Sequence, residues 1–343
     1  MSDGLTTQYD AILIVGFGGP ERREDVIPFL ENVTRGRNIP RERLRAVAEH
    51  YYHFGGKSPL NDQVRDLIAT LRLALDQRGI RLPIAWGNRN WHPFLADAVQ
   101  ELASAGARRV LALVLAAYSS YSSCRQYRED IERSAAAVGS NAPQVDKIRA
   151  FFNHPGFIAA NADRLSEALE KIPDDRRSRS HVAFTAHSIP LSMAQTSRYA
   201  EQLNETCRLV CERLRIPATR WALVYQSRSG RPTDPWLEPD ICDHLASLRA
   251  SGVSDVAVLP IGFLSDHLEV LYDLDIEAQE KSRSLGLNLV RAGTVGTHPQ
   301  FVAALADLVE ERVKQWPNRA AVGAFAASPD VCPEDCCPPR PRG

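Results

Sequence analysis

LASAGARRVLALVLAAYSS at 102–120 and LRASGVSDVAVLPIGFLSD at 248–266 read alike: a helix end, a small-residue turn around glycine, a buried strand and a polar loop, repeated at an offset of 146 residues. A second echo sets AILIVGFGGP (11–20) against HVAFTAHSIP (181–190), each a strand that runs into a polar turn closing on proline. Between these segments short β-branched runs alternate with longer amphipathic stretches, the pattern of a parallel sheet flanked by helices. Strands are expected at 11–17, 83–87, 109–116, 181–186, 221–226, 255–262 and 288–293, with helices filling the gaps. The economical account is an α/β protein of two Rossmann-like lobes, 1–150 and 151–320, followed by a tail at 321–343.

Composition narrows the class. A chain of 343 residues with 44% apolar and 24% charged residues is neither disordered, collagenous nor a coiled coil, and a net charge of −1 gives no global basic bias toward nucleic acid. The longest apolar run, Val110 to Ala117, falls far short of the roughly 20 residues of a membrane helix. MSDGLTTQYD at 1–10 lacks the basic start and apolar core of a signal peptide, so the default compartment is the cytoplasm. Seven cysteines there do not read as disulfides.

In such sheets ligands sit at the carboxyl ends of the strands. The loops expected there are GFGGP (16–20), GNRNWHP (87–93), AYSSYSSC (117–124), AHSIP (186–190), QSRSGRPTDPW (226–236) and GFLSDHLEVLYDLDIE (262–277). None opens a helix with GxGxxG or GxxxxGK[ST], so no dinucleotide or triphosphate cradle is indicated. The last loop runs into Glu269, Asp273 and Glu277, carboxylates at i, i+4 and i+8 that would line one helix face about 6 Å apart. They read either as a solvated acidic face or as oxygen ligands along which a hydrated divalent cation could pass. His187, at the end of a strand, is either a hydrogen-bonded structural residue or, facing Glu269, half of a pair that takes protons or holds a metal near pH 7.

VGFGGP (15–20), FGGKSPL (54–60), TAHSIP (185–190), YQSRSG (225–230), PWLEPD (235–240) and PIGFLSDHLEVLYDLDIE (260–277) resemble, in order, the segments of ferrochelatase, the family that inserts ferrous iron into a porphyrin. The resemblance spans nearly the whole chain apart from the tail. It implies a class II chelatase fold with a porphyrin cleft between the lobes, His187 and Glu269 facing each other near the macrocycle centre as catalytic and metal-binding groups, and Asp273 and Glu277 as outer carboxylates. Whether His187 accepts pyrrole protons or ligates the metal stays open. Aromatic walls are expected from Phe17, Trp91, Tyr118, Tyr121 and Tyr127, each with core packing as the competing account. Phe17 has no phenol where some relatives carry tyrosine, so axial ligation is not expected from that side.

Cys332, Cys336 and Cys337 resemble the C-terminal group with which some ferrochelatases hold a [2Fe–2S] cluster, and Cys124 matches the internal fourth ligand; a zinc knot is the alternative. Cys207, Cys211 and Cys242 read as packing residues. Arg35, Arg37, Arg41, Arg43 and Arg45 against Glu42 make a basic stretch within a lip at about 30–60, either a solvated loop or a rim for carboxylates. Arg35, Arg37 and Ser58 resemble the substrate side of bacterial members that use coproporphyrin III. The sequence therefore points to a cytoplasmic ferrochelatase making coproheme from ferrous iron and coproporphyrin III. A transient handover to an enzyme that uses coproheme, no nucleic-acid partner and no integral membrane segment go with that reading. Protoporphyrin IX, another tetrapyrrole chelatase, and a non-enzymatic haem carrier or iron–sulfur sensor are the alternatives.

Overall fold

The computed structural model describes residues 9–36, 39–229 and 233–339. Two four-stranded sheets carry the fold. The first contains β1 (Ala11–Gly16), β2 (Ile84–Asn88), β3 (Arg109–Val114) and β4 (Gln144–Lys147) in the order β2-β1-β3-β4. The second contains β5 (His181–His187), β6 (Trp221–Gln226), β7 (Asp255–Leu259) and β8 (Asn288–Arg291) in the order β6-β5-β7-β8, the same topology one repeat later. All pairings are parallel. β1 and β7 are buried along their whole length, as strands covered by helices on both faces must be.

Seven of the eight strands were expected. β4 is the addition: QVDK holds one apolar residue and lies at a sheet edge, so it is formed by pairing with β3 and leaves little pattern of its own. The lip is a second departure. It is neither loop nor strand but a helical hairpin, α1 (Val26–Val33) and α2 (Arg41–His53), closed on its own small core of Val26, Phe29, Leu30, Leu44 and Ala48. Arg41, Arg43 and Arg45 thus sit on a helix, while Arg37 lies outside the described residues.

α3 (Leu60–Gln77), α4 (Leu95–Ser104) and α5 (Gln126–Val138) flank the first sheet, and α6 (Pro155–Leu169) begins the second half. The last helix, Pro299–Val313, packs against both α6 and α3, so it crosses back to the first half. A continuous apolar core accordingly joins Ile14 and Leu113 of the first sheet with Phe184 and Leu259 of the second. α6 and the last helix start alike, at His154-Pro155 and His298-Pro299. Each histidine Nδ1 accepts a backbone N–H two residues on, from Gly156 at 3.2 Å and Gln300 at 3.3 Å. Cys207 and Cys211 are buried in the joint core and Cys242 packs at the edge of the second.

Although it has no apolar periodicity, the tail is anchored. Arg149 and Glu311 form a bidentate pair at 2.9 and 3.0 Å, with side chains 1% and 2% exposed. Glu311 accepts from Ala320 N, and Arg149 donates to Ala320 O. Beyond this, Asn153 donates to Phe325 O, Glu205 accepts Ala324 N, and Arg125 donates to the carbonyls of Glu334 and Cys336. Side chains reaching for tail backbone do the ordering that a core does elsewhere.

Candidate active site

β5 delivers His187 to the rim at the register position of Gln226 on β6. Its Nδ1 lies 2.5 Å from the Ser188 carbonyl, which requires the proton there and leaves the Nε2 lone pair outward. Nε2 is 3.8 Å from Glu269 Oε2, and the two side chains are 34% and 46% exposed. Two acceptors facing each other at that distance call for a proton or a cation between them.

Glu269 stands at the start of a helical segment that follows β7. His267 caps it, Nδ1 accepting from Glu269 N at 3.2 Å, and burial pushes that imidazole's pKa down. The segment opens as α-helix at Leu268–Val270, is π-helical over Leu271–Ala278 and returns to α-helix at Gln279–Leu285. The expected regular helix is therefore wider through the ladder. Four residues advance about 40° past a full turn in an α-helix, and with about 4.4 residues per turn they fall about 30° short, so the ladder of Glu269, Asp273 and Glu277 drifts round the helix in the opposite sense to that of a regular α-helix.

Half-buried Asp273 is desolvated enough that its pKa is pushed to about 7, with the charges of Glu269 and Glu277 adding to the shift and bonds from Ser227 Oγ and Gln226 Nε2 opposing it. Ser227 makes its contact from a left-handed backbone conformation, φ +60°. Glu277 is raised by burial and then by Asp240, which caps the helix Ile241–Ala250 and whose own carboxyl is raised by burial. The acidic path thus reaches Asp240, a residue that the helical spacing could not reveal because it lies on another element. Among the described residues no three His, Cys, Asp or Glu side chains already close on a single metal position.

The first half contributes the opposite wall. Phe17 is 40% exposed and meets Phe29 edge-on, and Phe29 meets Trp91 edge-on in turn. Tyr121 is half-buried, its hydroxyl donating to Glu129. Tyr118 and Tyr127 offer no open face: Tyr118, 2% exposed, donates across the lobes to Ile261 O, and Tyr127, 5% exposed, lies beneath the Arg89 guanidinium. For those two the packing account describes the structure. Ser58, 3% exposed, donates its N–H to Pro20 O and accepts Leu60 N, bracing the loop after β1 from below. Arg35 is exposed and bonded to Asn32. The lip reaches the acidic helix directly. His50 stacks on Tyr272 at 3.7 Å, and half-buried Tyr51 has its phenol pKa raised by desolvation and by the charge of Glu269.

The four expected thiols are neighbours in a chain of contacts, Cys124 to Cys332, Cys332 to Cys336 and Cys336 to Cys337, and do not close on one metal position. Cys124 and Cys332 share a hydrogen bond that lowers the Cys332 thiol and raises Cys124, and Cys336 Sγ is 3.5 Å from Cys337 Sγ.

A family model described as Ferrochelatase matches residues 9–313. The chain is 51% identical to "Ferrochelatase" of Rhodopirellula baltica, an alignment covering 97% of this chain and 95% of the relative. It is 50% identical to "Coproporphyrin III ferrochelatase" of Streptomyces griseus subsp. griseus, over 97% of this chain and 94% of the relative. Among solved structures, SirB from Bacillus subtilis with Fe3+ superposes with a TM-score of 0.56 at 13% identity, covering 91% of this chain and 98% of that one, a likeness of fold.

Proposed function

The chain belongs to the ferrochelatase family, and from that premise we propose that it inserts ferrous iron into coproporphyrin III to give coproheme, with His187 and Glu269 at the reacting centre. The observation that carries the site reading is the 3.8 Å approach of His187 Nε2 to Glu269 across two strand-end loops. The substrate reading is supported by relatives about 50% identical that bear that name and align over 97% of this chain.

Insertion exchanges two pyrrole protons for one Fe²⁺. His187, its Nδ1 proton held by Ser188, has Nε2 free to accept a proton from a pyrrole nitrogen. Glu269 beside it stabilises the imidazolium and offers oxygen to the arriving cation. Asp273 and Glu277 then act as the preceding oxygen ligands. Because burial resists ionisation of Asp273, a cation displaces its proton near neutral pH, so uptake and proton release are coupled. Phe17 and Trp91 form the apolar wall against the macrocycle, where binding energy can hold a distorted ring. Arg35 and Arg37 at the lip are the proposed partners of propionates, always charged and able to bind bidentately.

Cys124, Cys332, Cys336 and Cys337 are proposed to hold a [2Fe–2S] cluster. Four neighbouring thiols supply the thiolate count of a two-iron centre, and which sulfur would bind which iron is left open. When bound, the cluster would cross-link the tail to the segment after β3. We further propose a cytoplasmic protein that hands coproheme to the enzyme consuming it; no helix among the described residues is long and apolar enough to cross a membrane.

The test is anaerobic Fe²⁺ insertion with coproporphyrin III and protoporphyrin IX in parallel. The expected result is a preference for coproporphyrin of roughly tenfold or more in kcat/KM that shrinks with salt. Equal rates, or a preference for protoporphyrin at low ionic strength, would reverse the substrate assignment. For the cluster, protein as isolated should be reddish-brown with about two irons and two acid-labile sulfides per chain. Cys124→Ser should bleach it and Cys242→Ser should not; colourless protein with one zinc removes the cluster.

A further inference from the structure

The first turn of α3 holds two carboxamides that behave alike. Asn61, 1% exposed, accepts Gly19 N and donates to Gly19 O, both at 3.2 Å, so it grips both backbone groups of one residue in the loop after β1. It also donates to His92 O in the loop after β2. Gln63 does the same to a single residue of the other lobe: its Oε1 accepts Asp266 N at 3.0 Å and its Nε2 donates to Asp266 O at 3.3 Å, across 203 positions of sequence. On a helix, residues two apart point about 200° from one another. One turn therefore reaches in opposite directions, to the wall that carries Phe17 and to the wall that carries Glu269.

The second grip falls at a sensitive place. The Asp266 side chain is held by Arg291 at 2.9 Å, so only its backbone is left for the first lobe to fix. The next residue, His267, caps the segment through Glu269 N. A shift of the Asp266 peptide carries the cap with it, and with the cap the first turn on which Glu269 stands. Nothing in the reaction requires Gln63 to touch the porphyrin or iron.

We propose that Gln63 is a positioning residue for metal insertion, holding the Asp266 peptide from the opposite lobe and thereby setting Glu269 against His187. With Asn61 it makes the first turn of α3 the spacer between the two walls. This rests on the assignment of Glu269 to the reacting centre.

The test uses the full chain with Fe²⁺ and coproporphyrin III. Gln63→Leu should lower kcat about tenfold and raise the KM for iron, with the KM for porphyrin within twofold and the melting temperature within a few degrees. Gln63→Glu keeps the acceptor for Asp266 N and should recover part of the loss, whereas Gln63→Asn, one methylene shorter, should not. A folded Gln63→Leu with wild-type kcat overturns the proposal, as do losses in all three variants that track melting temperature alone. If Gln63→Leu fails to fold, the Glu and Asn variants decide by the same comparison. Glu269→Gln is measured alongside: near-wild-type turnover there withdraws the site assignment, while an inactive Glu269→Gln beside a fully active Gln63→Leu overturns only the positioning role.

Discussion

With its Nδ1 proton committed to Ser188, His187 has one nitrogen for chemistry, and Glu269 is that nitrogen's acidic neighbour. His187→Ala and Glu269→Gln should each remove most insertion activity while porphyrin affinity, measured by fluorescence quenching, stays within about tenfold, or 1.4 kcal/mol. Near-wild-type turnover in both would move the site elsewhere. Asp273 supports a second expectation. Its folded-state pKa, about 7, lies above the ordinary carboxylate value, so the folded chain binds the extra proton and wild-type stability falls as pH rises from about 4 to 7. Asp273→Asn, which cannot ionise, should therefore melt a few degrees above wild type at pH 8, with the gap narrowing toward pH 4; a gap independent of pH would contradict the burial argument. The facing of His187 and Glu269 was legible because AHSIP and SDHLE carry them in short segments. Ser227, Gln226 and Asp240 were not, since each acts on the ladder through a neighbour on another element.

Helix starts and helix widths decide what the elements do. His154 caps α6 with an unprotonated Nδ1, and burial holds its pKa down at about 4. Unfolding then takes up a proton between about pH 6.5 and 4; the stabilisation is full above that window and is lost as pH falls through it. His154→Asn retains a capping oxygen without a titration, so its melting temperature should fall less steeply between pH 6.5 and 4 than that of wild type. An unchanged slope would assign the acid sensitivity to other groups, His181 among them, which burial also holds at about 4. The alternation of strands was readable because continuous apolar runs such as VLALV leave no other account. The π-helical stretch was not, because the eight residues of Leu271–Ala278 make fewer than two turns of the wider helix, too few for its apolar repeat to show. The lip misled for a different reason: RERLR is dominated by charge, and its helix is secured by Leu44 and Ala48 packing on α1.

Across the whole molecule the halves are joined by more than the chain. The Arg149–Glu311 pair links the segment after β4 to the last helix and, through Ala320, to the tail. Arg149→Met would leave Glu311 buried without its main partner, and chemical denaturation should show a loss of about 3–5 kcal/mol. A loss below about 1 kcal/mol would mean that Arg319, 3.7 Å from Glu311, takes over. The other ties have a different consequence. Tyr118 to Ile261, Gln63 to Asp266 and the shared core all span the two sheets, so hinge-bending like a pair of jaws would have to break them together. The hairpin of α1 and α2 has a private core and rests on the acidic helix through the His50–Tyr272 stack. Scattering should therefore report an unchanged radius of gyration on porphyrin binding, while amide exchange slows in Arg41–His53 more than in either sheet. The two sheets thus form one body, and the hairpin, with its separate core, is the part that can shift without breaking the ties between them.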